Sequence, residues 1–162
     1  MTNNALAFIA LCNEYCAALE HASETEKTDL VRSMLRLLPR IYFAAADLSA
    51  DLPGDAYIDE ALEEDYYEAI RHNLEMVLGE DDSYLEVFEQ DMKYSDTPIG
   101  ASLAEGLADL FQVFYNLLET VRDAPDELAE EALAAVRDDF ANYWGQTLCN
   151  VMRPLHHIYY QS

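Results

Sequence analysis

Apolar residues recur every three or four positions through most of this chain of 162 residues, and that spacing returns a side chain to one face of an α-helix. Ala5, Phe8, Ile9, Cys12, Tyr15, Cys16 and Leu19 form the inner face of a first helix, and Asn3 or Asn4 is placed to cap it. Ser23 and Glu26 have the spacing of a capping box, in which serine takes the third amide and glutamate reaches back. A second helix would then bury Leu30, Met34, Leu37, Leu38 and Ile41, kinked at Pro39, where a backbone hydrogen bond is lost.

The proline, glycine and aspartates of LSADLPGDAYID, residues 48–59, make a loop. A third helix follows with Leu62, Tyr66, Ile70, Leu74 and Val77 inward, ending at Gly79. SYLEVFE, residues 83–89, alternates like an extended segment but has no evident strand to pair with, so residues 80–101 are read as irregular. Ser102 and Glu105 form a second capping box before Leu103, Leu107, Leu110, Phe111, Phe114, Leu118 and Val121. Beyond the Ala124-Pro125 turn, one long helix carries Leu128, Ala132, Val136, Phe140, Trp144, Leu148, Val151 and Leu155 inward. Residues 1–162 are thus expected to form a single-domain, all-α antiparallel bundle of about five helices.

The segments SLAEGLADLFQVFYNLLE and FANYWGQTLCNVMRPLH, preceded by a helix ending in LG and an EVFE stretch, occur in an order that resembles a family of uncharacterised bacterial proteins classed as a domain of unknown function. The resemblance spans most of the chain and implies an all-helical fold. It implies no catalytic residue.

Charge narrows the partners. The formal net charge is −23, from 9 basic and 32 acidic residues. Residues 41–92 hold sixteen acids against Arg71 alone, while residues 1–40 hold four bases against five acids. Such a surface repels nucleic acid and anionic membranes and attracts a protein partner with a basic surface. No run approaches the ~20 apolar residues of a membrane span, and no basic leader region precedes the short apolar run at the start. Three cysteines, two of them one helical turn apart at Cys12 and Cys16, read as reduced and buried. A cytoplasmic protein follows from these features, with its oligomeric state open.

Chemistry-bearing groups are sparse. WGQTLCNVMRPLHH, residues 144–157, collects the only tryptophan with Cys149, His156 and His157, but the Trp144, Leu148, Val151, Leu155 stripe makes the tryptophan a core residue. Cys149 and His156 are separated by ~10.5 Å of helix, too far for both to ligate one zinc ion with Cys12 and Cys16. Glu60, Glu64, Glu68 and His72 step by four along the third helix, without the Glu-x-x-His pair of a di-iron bundle. Glu68 and His72 are expected to pair on the surface. GEDDSYLE, residues 79–86, lacks the alternating ligands of a calcium loop. No metal, cofactor or catalytic residue is expected.

A binding role is therefore assigned to two charged rows. The glutamates with His72 form one. Arg32, Arg36 and Arg40 form the other, expected to dock on the acidic third helix and the loop before it. The leading function is a non-catalytic protein-interaction module. Alternatives are a DNA mimic, because the glutamates lie ~6 Å apart, and an enzyme or ligand-binding protein with a pocket between helices.

Overall fold

The computed structural model describes residues 1–49, 58–86 and 99–162. The architecture is all-α. Four helices come first: α1 (Asn3–Glu20), α2 (Lys27–Ala46), α3 (Glu64–Leu78) and α4 (Leu103–Val121). The chain then runs through α5 (Asp126–Asp139), a π-helical turn at Phe140–Trp144 and α6 (Gly145–Tyr160). α4 is the central rod, packed against α1, α3, α5 and α6, while α2 lies against α1 and α6.

Helix ends follow hydrogen-bonding need, though not always with the expected residue. Thr2, not Asn3 or Asn4, caps α1 by accepting from the Ala5 amide at 3.0 Å. Asn4 instead donates from its side chain to the Ala44 carbonyl at 3.1 Å, tying the start of α1 to the end of α2. The Ser23 box does not form. Ala22–Glu24 is a short 3-10 turn, and α2 begins at Lys27 with no side-chain cap. Gly79 ends α3 as expected, with φ 58° and ψ −128°, a conformation that only glycine adopts without strain. Ser102 caps α4 through the Glu105 amide, and Asp82 takes the Ala104 amide at 2.6 Å and the Ser102 hydroxyl.

That aspartate immediately precedes a small hairpin where irregular chain was expected. Ser83–Glu86 (β1) pairs antiparallel with Ile99–Ser102 (β2), Ser83 opposite Ser102 and Glu86 opposite Ile99. The alternation of SYLE therefore has a strand partner after all, in a segment whose IGAS sequence carries little β signal. Most of the 48–59 loop, and residues 87–98 of the stretch read as irregular, lie outside the described residues.

The core matches the predicted stripes closely in α1, α2 and α4, where Phe8, Tyr15, Met34, Leu38, Phe111 and Phe114 are fully buried. α2 contains Pro39 in its interior and continues to Ala46. Leu128 is a correction: expected inward, it is 52% exposed. Side chains spaced by four drift about 40° per step around an α-helix, so the row from Val136 back to Leu128 slides off the buried face. The same drift would have carried Trp144 outward. Instead the wider π-turn intervenes and the ring is fully buried, stacked 6.2 Å from Phe8 and edge-on to Phe114 at 5.2 Å. The indole N–H donates to the Val136 carbonyl at 2.9 Å, so its one polar group is satisfied.

Candidate binding cleft

Asn116 on α4 holds the chain entering α3. Its side-chain oxygen accepts from the amides of Ala61 at 3.0 Å and Leu62 at 2.8 Å, in the segment just before α3. One turn into α3, the Tyr67 hydroxyl donates to Asp109 of α4 at 2.6 Å. These bonds set Ile58 and Glu60 along one rim of α4. The opposite rim comes from the junction of α5 with the π-turn, where Asp139 is exposed and Tyr143 is 52% exposed beside the fully buried Trp144. Between the rims lies a cleft of about 330 Å³ floored by Asp109, Gln112, Val113 and Asn116.

Asp109 also borders a second recess of about 320 Å³, formed by the hairpin, the first turns of α4 and α6. Glu86, Glu105, Ser102, Thr147 and Asn150 line it. Gly106 permits the close approach of α6 there, since a Cβ would stand 2.6 Å from Val151 Cγ1. Asp109 is thus the carboxylate shared by two adjoining hollows.

Burial raises the pKa of Asp109, a Tyr67 hydrogen bond works against that rise, and the charge of Glu105 adds to it. Asp139, although exposed, is raised by the desolvation of its inner side, with the charge of Asp138 contributing. Partial desolvation against the cleft wall, with the charges of Asp109, Glu105 and Asp139, raises the pKa of the half-exposed Tyr143 phenol. No lysine or arginine lines either hollow among the described residues. Among them, too, no three histidine, cysteine, aspartate or glutamate side chains are grouped to hold a metal ion. Carboxylates, amides and a phenol around an open cleft can hold an organic cation, by ion pairing and across the ring face.

The two charged rows fare differently from expectation. Glu60 lies before α3, on the rim of the cleft, so the glutamate ladder keeps only Glu64 and Glu68 on the helix. Glu68 pairs with Arg71 at 2.5 Å, not with His72, because Arg71 reaches both Glu68 and Glu75 with a forked head. His72 is exposed. The arginine row does not dock on α3: α2 packs on α1 and α6, and Arg32 donates to the Tyr159 hydroxyl of α6 at 2.9 Å and to Asp29, while most of the loop before α3 lies outside the described residues. Arg36 and Arg40 are exposed. Cys149, His156 and His157 are exposed on α6, apart from the buried Cys12 and Cys16.

Asp109, Asp139 and Tyr143 were missed by sequence reasoning. One signal was legible: Asp109 interrupts the apolar run around Leu107, Leu110 and Phe111, and a carboxylate beside a core stripe needs a partner.

A family model described as a domain of unknown function, DUF5063, matches residues 1–161. The crystal structure of protein BF1032 from Bacteroides fragilis is similar, with 30% sequence identity and a TM-score of 0.85, over 99% of this chain and 95% of that one. None of the curated proteins matches the chain.

Proposed function

We propose that this chain, which belongs to the DUF5063 family of domains of unknown function, is a non-catalytic module that binds a protein partner with a basic surface. The cleft beside Asp109 takes one ammonium or guanidinium group of that partner. One observation carries this reading: two adjoining hollows share a carboxylate, and acids line both with no base among the described lining residues. Glu60 and Asp139 stand at the rims of the first and Glu105 at the second, so a cation entering either meets unpaired negative charge. Such a cation also works against the burial that raises the Asp109 pKa.

A bacterial cytoplasm suits the module. Its buried cysteines are free thiols, its structural relative is bacterial, and no helix among the described residues is long and apolar enough to cross a membrane. The DNA-mimic alternative loses support because Glu60 leaves the helical ladder.

The test compares immobilised wild type with a Glu105→Gln, Asp109→Asn, Asp139→Asn variant in capture from a bacterial lysate, with identification by mass spectrometry. Basic proteins held by wild type, released at about 0.5 M salt and absent from the variant would support the reading. Equal capture by both would sink it.

A further inference from the structure

The arginines of this acidic chain are nearly all engaged. Arg32 meets Asp29 and Tyr159, Arg71 meets two glutamates, Arg122 meets Glu119, and Arg137 meets Asp138 and the Ser49 carbonyl. Arg153 donates to the Leu85 carbonyl. Arg36 and Arg40, neighbours on α2, are the two arginines with no side-chain partner among the described residues, although the chain carries 32 acids.

They stand in a row with an exposed aromatic ring. Arg36, Arg40, Phe43 and Asp47 advance by four, three and four positions, the spacing of a helix-packing seam. All four are exposed, Phe43 to 71%. The opposite side of α2 is occupied by α1 and α6. Asp47 is the C-terminal cap residue of α2, where the helix dipole disfavours a carboxylate, and the last turn contains no base to offset it. The row therefore displays a cation without an anion, an anion without a cation, and a phenylalanine between them.

We propose that this row packs against the same row of a second copy, antiparallel about a two-fold axis beside Phe43. Arg40 precedes Phe43 by three residues and Asp47 follows it by four. Antiparallel pairing centred between positions 43 and 44 sets Arg40 of each copy against Asp47 of the other, with the two Phe43 rings between the ion pairs. The contact is self-complementary, so it closes at two copies. A polyanion such as nucleic acid would satisfy the arginines but not Asp47, and would approach a chain of net charge −23. The same net charge opposes dimerisation at long range, so the dimer needs screening salt. One helix face is a small interface, so the association is weak. It is separate from the Asp109 cleft, and either reading can fail alone.

Sedimentation equilibrium of the full chain, from about 10 to 500 µM in about 0.15 M salt, tests it. Wild type should pass from monomer to dimer and go no further. Phe43→Ser and Arg40→Asp should each weaken the dimer about tenfold or more. Arg40→Asp combined with Asp47→Arg should return it to within about threefold of wild type. Melting curves of these surface variants should stay near wild type, separating lost association from lost folding. A wild type that stays monomeric across the range overturns the proposal. So do assemblies that keep growing, a dimer indifferent to Arg40→Asp, or a charge swap that fails to restore it.

Discussion

Trp144 is packed among Phe8, Phe114 and Phe140, with the Val136 carbonyl on its indole nitrogen. Trp144→Ala should cost about 3 to 5 kcal/mol, read from denaturant midpoints. Native fluorescence should be blue-shifted, and a red, easily quenched emission would contradict the packed position. Asp109 gives a pH signature. Its pKa is higher in the fold than in the unfolded chain, so the folded state binds more protons between the unfolded value, about 3.9, and the raised native one. Stability therefore falls as pH rises through that window and is regained on acidification. Asp109→Asn removes this contribution while leaving Tyr67 an oxygen to donate to. Its melting temperature should gain less than that of wild type as the pH is lowered from about 7 to about 4, near the unfolded value. Parallel curves would show that Asp109 does not titrate as its burial requires.

At the scale of elements, α4 depends on a cap borrowed from the turn between α3 and the hairpin. Asp82 accepts the Ala104 amide and the Ser102 hydroxyl, and its charge lies at the positive end of the central helix. Asp82→Ala should cost about 1 to 2 kcal/mol by urea unfolding, whereas an unchanged midpoint would mean Ser102 caps α4 unaided. Pro39 has no N–H for the carbonyl four residues before it, and its side chain is exposed. Pro39→Ala should therefore add one helical hydrogen bond and raise stability by about 1 to 3 kcal/mol. A drop in melting temperature would show that the packing of α2 on α1 and α6 is fitted to the proline.

The whole molecule is governed by its surplus of acids. The ion pairs of Arg71, Arg122 and Arg137 are within one element and partly exposed, each giving at most about 1 kcal/mol. Lys27 with Asp81 at 2.7 Å is a bond between distant segments, joining the start of α2 to the turn after α3. Most other carboxylates repel one another through solvent. Melting temperature should rise from low to moderate salt, because screening removes more repulsion than it weakens attraction. A melting temperature that falls over that range would mean the few ion pairs outweigh the acidic surplus.

Helix number and the buried faces were legible because both arise from local spacing: Leu30, Met34, Leu38 and Ile41 face inward whichever helix covers them. The stop at Gly79 and the cap at Ser102 were legible for the same reason, as backbone groups are satisfied within a few residues. What the chain meets at a distance was not. Docking Arg32 on Tyr159 rather than on α3, pairing SYLE with IGAS, and closing a cleft between Asp109 and Tyr143 all depend on which elements become neighbours. That choice is made by the collective burial of every stripe at once, a global sum over the chain that no single spacing contains. The π-turn at Phe140–Trp144 shows the boundary between the two: apolar spacing marked Trp144 for the core, but only packing against Phe8 and Phe114 could select the wider turn that keeps it there.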